Sequence, residues 1–145
     1  MKHTIQSPVE SFSKCRVYFD GDQVFGVTPT KVLFNQINFD SNTTWDATNK
    51  RFVIKTTGCY LICGQINYAN WKTYGWLEFY KNYNISPEVL VMIGGQNSTA
   101  LYLNAMTICI LNTNDYVEMW GNVLGINAHV YGGNSNTFFT IHRLS

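Results

Sequence analysis

Charge is scarce in this chain. Only 13% of its 145 residues are charged, against roughly 25% in ordinary soluble domains. Ten Lys and Arg offset nine Asp and Glu to a net charge of +1, and they form no block. Gripping a nucleic-acid backbone takes a basic stripe, and docking on an anionic membrane surface takes a polybasic segment. Neither is present, so no nucleic-acid or membrane partner is expected. Proline is rare, and no apolar run approaches the about 20 residues of a membrane-spanning helix. The opening residues, Met1-Lys2-His3-Thr4-Ile5-Gln6-Ser7-Pro8, contain no apolar signal core, so a conventional leader is not expected.

Reaction chemistry is also thinly represented. There is no G-x-S-x-G, no P-loop and no G-x-G-x-x-G, so no nucleophile elbow or phosphate cradle is expected. His3, His129 and His142 lie far apart in sequence. Asp20 and Asp22 flank Gly21 and suggest a turn, since two carboxylates are too few for a calcium site. The four cysteines, Cys15, Cys59, Cys63 and Cys109, are too sparse for a disulfide scaffold. On a shared strand Cys59 and Cys63 would stand roughly 13 Å apart, too far to bridge. No Cys-x-x-Cys or His-x-x-x-His pairing suggests zinc. These observations lead to the expectation of a non-enzymatic protein with free thiols and no cofactor.

What the chain has instead is sixteen Asn, a 15% aromatic content and 46% hydrophobic residues. The polarity is uncharged. Either the surface is built of Asn and Thr, or part of it is hidden in a subunit contact, where charge is depleted and aromatics are enriched. The chain reads as short β-rich runs divided by Gly, Asn, Asp and Pro, the pattern of a sandwich or barrel. Runs are expected at Cys15–Phe19, Val24–Val27, Lys31–Phe39, Arg51–Lys55, Cys59–Tyr68, Trp76–Tyr80, Glu88–Ile93, Ala100–Leu111, Tyr116–Trp120, Asn127–Tyr131 and Phe138–Leu144. Gly94-Gly95 is read as the stop after Ile93. The domain is placed at residues 15–145, behind an N-terminal arm or tail of residues 1–14.

Two runs are apolar on both faces. In Cys59–Tyr68, Tyr60, Ile62 and Ile66 share one face, and Cys59, Leu61, Cys63 and Gln65 the other. In Ala100–Leu111, Leu101, Leu103, Ala105, Thr107, Cys109 and Leu111 alternate with Tyr102, Asn104, Met106, Ile108 and Ile110. A half-exposed antiparallel strand is polar on its outer face. Something must therefore cover the second face, either a neighbouring subunit or a helix or loop, and no segment is evidently free to serve as the latter. Separately, Asn67-Tyr68-Ala69-Asn70-Trp71-Lys72-Thr73-Tyr74-Gly75-Trp76 clusters four rings among polar groups, a mixture suited to sugar stacking or a protein hot spot. The plainer reading packs Tyr68 and Trp76 inward and leaves Trp71 and Tyr74 as the exposed pair. On either reading Trp71 and Tyr74 are the candidate ligand-binding residues.

Several motifs resemble the tumour-necrosis-factor/C1q superfamily. Lys50-Arg51-Phe52 followed by Thr57-Gly58-Cys59-Tyr60-Leu61-Ile62 is similar to its "G-x-F…P-G-x-Y-x-(apolar)" strand pair. Phe39, Asn42, Trp45 and Asp46 resemble the stretch before that pair. Glu78-Phe79-Tyr80-Lys81-Asn82 resembles the "L-x-x-N-G" hairpin, with Tyr83 in place of the Gly. Leu111-Asn112-Thr113-Asn114-Asp115-Tyr116-Val117 resembles "L-x-x-G-D-x-V", with Asn114 where Gly is usual; Asn is the next best residue at positive φ. Thr137-Phe138-Phe139-Thr140-Ile141-His142-Arg143-Leu144 resembles the closing strand, with Thr140 replacing a Gly. The resemblance spans about residues 30–144.

It implies an all-β, ten-strand jelly-roll sandwich forming a homotrimer, with a core of Phe52, Tyr60, Ile62, Leu103, Cys109, Leu111, Val117, Phe139 and Ile141. The three-fold interface it implies is Leu61, Cys63 and Gln65, then Asn104, Met106, Ile108 and Ile110, then Phe138, Thr140 and His142. The implied role is recognition or structure, with an unknown protein or glycan receptor as partner. The missing leader, the Asn-rich composition and the free thiols incline the expectation towards a phage or viral virion fibre or decoration component on a virion or extracellular surface, joined to a larger assembly through the N-terminal arm. The alternatives are a carbohydrate-binding jelly roll and a bacterial or host C1q-like surface or secreted binding protein.

Overall fold

The computed structural model describes residues 12–69, 73–97, 101–125 and 127–145. Most of the expected arm, and Trp71, lie outside the described residues. The described residues form thirteen strands and no helix: β1 Lys14–Tyr18, β2 Asp22–Phe25, β3 Thr30–Lys31, β4 Gln36–Asp40, β5 Trp45–Asp46, β6 Arg51–Val53, β7 Gly58–Tyr68, β8 Thr73–Lys81, β9 Glu88–Asn97, β10 Leu101–Leu111, β11 Tyr116–Leu124, β12 Ala128–Tyr131 and β13 Phe138–Arg143. Every pairing is antiparallel. A seven-stranded sheet runs β2-β12-β7-β13-β1-β4, with β10 on the other edge of β7. A six-stranded sheet runs β5-β6-β11-β8-β9, with β3 on β11. Their inner faces meet in one jelly-roll core.

Alternation decides which side chains enter that core. Tyr60, Ile62 and Ile66 of β7 are fully buried, as are Leu77 and Phe79 of β8, Val117, Met119 and Val123 of β11, and Phe139 and Ile141 of β13. Phe139 is the hub of an aromatic cluster, with ring centroids 4.6 Å from Phe52, 5.1 Å from Phe79 and 5.8 Å from Phe34. The core inferred from the sequence is this core, with Cys109 at its edge.

Two strand readings are corrected. Lys31–Phe39 is not one strand. Lys31 pairs with Trp120 of the smaller sheet, whereas Gln36 pairs with Tyr18 of the larger. Between them the chain crosses the sandwich, burying Val32 and Phe34. Gly94-Gly95 does not stop β9, which continues to Asn97. Gly94 lies under two rings of β8: an added Cβ would stand 2.9 Å from Trp76 Cδ1 and 3.0 Å from Tyr74 Cε1. Glycine is needed there for close approach, not for a turn.

Turns follow the polar punctuation. Asn114 has φ 75° and Asn82 φ 53°, so Asn takes the left-handed position both in the β8–β9 hairpin and in the turn from β10 to β11, where the chain changes sheet. The Asp40 carboxylate accepts the amides of Thr44 and Trp45 at 2.8 and 3.0 Å and fixes the turn after β4.

Candidate functional site

The outward face of the larger sheet gathers all ten expected interface residues in ordered rows. Leu61 of β7 faces Ile108 of β10 on one side and His142 of β13 on the other. One row along, Cys63 lies between Met106 and Thr140; the next sets Gln65 between Asn104 and Phe138. Cys59 faces Ile110 and extends the apolar rows.

These positions differ in how open they are. Met106, Ile108 and Ile110 are 67%, 61% and 64% exposed, and all three stand on β10. Leu61, Cys63 and Thr140 are half-buried among them. Towards β1 the face turns polar. The Arg16 guanidinium lies 4.0 Å above the Phe138 ring, and it donates to the Asn134 carbonyl at 2.8 Å. The Gln65 amide donates to the Ser135 and Asn136 carbonyls at 2.9 and 2.7 Å, holding the loop before β13. The face is thus an apolar strip along β7 and β10 with a polar rim. All four cysteines are free. Burial pushes the Cys63 and Cys109 thiols up. Cys15 is held well above the usual thiol range by burial, then by the charge and hydrogen bond of Asp40.

The outward face of the smaller sheet carries the second candidate. Tyr74 is exposed there, its ring 4.7 Å from that of Trp76. Trp76 therefore does not pack inward with Tyr68, because Leu77 and Phe79 occupy the inward positions of β8. Tyr68 is the inward ring, and its hydroxyl donates to the Trp76 carbonyl at 2.7 Å. Further along, two buried carboxylates sit on this outward face, which sequence reasoning missed. Glu118 accepts from Lys31 Nζ at 3.1 Å and from Trp120 Nε1 at 2.9 Å. Glu78 accepts from the Tyr80 hydroxyl at 3.0 Å. Tyr83 stacks on Trp120 at 4.0 Å and helps roof the pair. Burial, then the hydrogen bond and charge of Glu78, push the Tyr80 phenol up to about 12. The only sequence signal was the run of rings around these acids.

Two sheets in jelly-roll order, with a closing strand inserted between the first strand and β7, decide the architecture. The chain has the TNF/C1q-like jelly-roll fold. Murine APRIL crystallised at pH 5.0 superimposes with a TM-score of 0.77 at 14% identity, covering 92% of this chain and 100% of that one. Eiger TNF from S. frugiperda gives 0.68 at 15%, covering 92% and 93%. The globular domain of zebrafish complement 1qA gives 0.71 at 14%, covering 93% and 98%. At such identities the likeness is one of fold. No family model matches the chain. In sequence, the TNF/C1q-like chain is 33% identical over 98 residues to the uncharacterized protein YqcC of Bacillus subtilis (strain 168), a stretch amounting to 63% of this chain and 26% of that protein. The chain thus spans about a quarter of that relative's length.

Proposed function

We propose that this chain is a non-enzymatic recognition or structural head that works as a homotrimer, with the β7–β10–β13 face turned towards a three-fold axis. The observation that carries this reading is the row of Met106, Ile108 and Ile110, three large apolar side chains open to water on one strand. Burying apolar surface stabilises by about 25 cal/mol per Å², so covering these three with their neighbours on β7 contributes several kcal/mol per subunit. A rigid, preformed sheet adds little ordering cost to the translational and rotational freedom that any association loses. The low charge of the chain supports the same reading.

Within this reading, the head belongs to a phage or viral virion fibre or decoration component on a virion or extracellular surface, and residues 1–14 tether it to a larger assembly. Its receptor is a protein or a glycan. The Asn-rich, charge-poor composition supports this placement. The test is light scattering on the wild type and on Ile108→Asp. The expected result is three times the 16.6 kDa chain mass for the wild type and loss of assembly in the variant. A monomeric wild type overturns the reading.

A second reading, a carbohydrate-binding module, is favoured by the Tyr74–Trp76 ring pair presented on the opposite, outward face of the smaller sheet. Glycan-array binding that disappears in Trp71→Ala or Tyr74→Ala would support it.

A further inference from the structure

Beyond the end of the apolar strip, where β2 and β12 pair, the outward side of the larger sheet opens into a cavity of about 440 Å³. Its lining includes Gly21, Asp22, Ala69, His129, Tyr131 and Gly132. Neither the rows of the proposed interface nor the Tyr74–Trp76 pair contribute to it. The volume falls in the range of small-molecule sites.

The walls are fixed by hydrogen bonds from outside the β2–β12 pair. The Ala69 amide donates to the His129 carbonyl at 2.7 Å, and the Gly133 amide to the Phe19 carbonyl at 2.7 Å. Asn136 Nδ2 donates to the Gly132 carbonyl at 2.8 Å, and the Thr137 hydroxyl to the Tyr131 carbonyl at 2.9 Å. Gly21 and Gly132 meet in the lining. A Cβ on Gly132 would stand 2.7 Å from Gly21 N, so glycine is needed where the two segments pass. These backbone contacts hold the walls of the cavity in place.

Its polar groups define what can enter. His129 Nδ1 lies 2.6 Å from Asp22 Oδ1. A carboxylate only accepts, so Nδ1–H is the donor, and in neutral imidazole Nε2 is then an acceptor. Both side chains are more than half exposed. With the imidazole neutral, the pair offers acceptors to a ligand, the second Asp22 oxygen and His129 Nε2, and its negative charge repels anions. Tyr131 stands opposite Asp22 in the β2–β12 register and is 51% exposed, giving a ring face beside the acceptors. A ligand must bring adjacent donors and one apolar face, and must carry no negative charge. We propose that this cavity binds a neutral hexopyranose unit, with a vicinal diol donating to Asp22 and His129 and the C–H face of the ring on Tyr131.

The test is saturation-transfer difference NMR on the chain in its solution assembly, with methyl α-D-glucopyranoside, methyl α-D-mannopyranoside and methyl β-D-galactopyranoside as probes. At least one probe is expected to receive transfer. Its affinity should fall at least about tenfold, the loss of one good contact, in Asp22→Ala and in Tyr131→Ala, and persist in Tyr131→Phe. Asp22 and Tyr131 are surface side chains, and thermal melting confirms that the variants fold. Light scattering on the same samples keeps this result separate from the trimer reading. No transfer to any probe, transfer that survives both alanine variants, or transfer abolished by Tyr74→Ala alone overturns the proposal.

Discussion

Lys31 and Glu118 form an ion pair, Nζ to Oε1 3.1 Å, in which the carboxylate side chain is 1% exposed and the ammonium side chain 22%. The pair ties the short strand β3 to the middle of β11 on the outward face of the smaller sheet. Removing one partner of a buried pair strands the other charge. Lys31→Met should therefore lower the unfolding free energy by about 3 kcal/mol, with Trp120 Nε1 remaining as a donor to the acid. Adding Glu118→Gln to Lys31→Met should recover part of the loss. Urea denaturation of the two variants checks both statements.

Gly121 lies under the Tyr68 hydroxyl, which an added Cβ would strike. Gly121→Ala should cost about 1–3 kcal/mol through overpacking. Tyr68→Phe gives up the hydroxyl's hydrogen bond to the Trp76 carbonyl but clears the space. The double variant should therefore be more stable than the sum of the two single losses predicts. Strict additivity in a thermodynamic cycle would contradict this packing argument.

The Tyr80 phenol is raised from its ordinary value near 10 to about 12, by burial first and by Glu78 second. A raised folded-state value means that the unfolded chain gives up this proton sooner. The stabilisation is thus complete below pH 10 and is lost as pH rises from about 10 through about 12. In Glu78→Gln the phenol should titrate lower than in the wild type, because the carboxylate charge is gone and an amide oxygen accepts the phenol's hydrogen bond more weakly, while burial remains. Ultraviolet difference titration of the wild type, Tyr80→Phe and Glu78→Gln reads the shift directly.

Thiol labelling separates Cys15 from Cys59 and Cys63 by location. Cys15 is fully buried in the core, with its thiol held protonated, and should stay unreactive as long as the fold persists. Cys59 and Cys63 stand on the outward face of β7. If the proposed trimer covers this face, they should resist labelling in the wild type and react in Ile108→Asp. Mass spectrometry after alkylation of native protein distinguishes the cases. Rapid labelling of Cys63 in the wild type would argue against a covered face.

The two-faced strands were legible because a period of two over eleven residues leaves little freedom: once Tyr60, Ile62 and Ile66 enter the core, Leu61, Cys63 and Gln65 must face outward. Asn114 was legible for a similar reason, since few side chains tolerate its φ. Other features had no local signal. Asp22 and His129 are 107 residues apart and meet only because β2 pairs with β12. Trp76 was misplaced because a large ring at the start of a strand reads as core. Here Gly94 gives it room to lie on the outside. Glu78 and Glu118 drew no assignment from the sequence, and the rings and the lysine brought over them by β3 and the chain after β8 bury them. Lys31–Phe39 has an unbroken β-rich composition, and nothing in it marks the change of sheet.

β13 occupies an interior slot, paired with β1 on one side and β7 on the other. During synthesis, β1 and β7 therefore leave the ribosome long before the segment that joins them, and the larger sheet cannot zip shut until residue 143 has emerged. The nascent chain must wait with two sticky edges unsatisfied, a state in which aggregation competes with folding. Any protein fused behind this domain needs enough spacer for that last strand to clear the tunnel and thread home before the fused partner begins to fold.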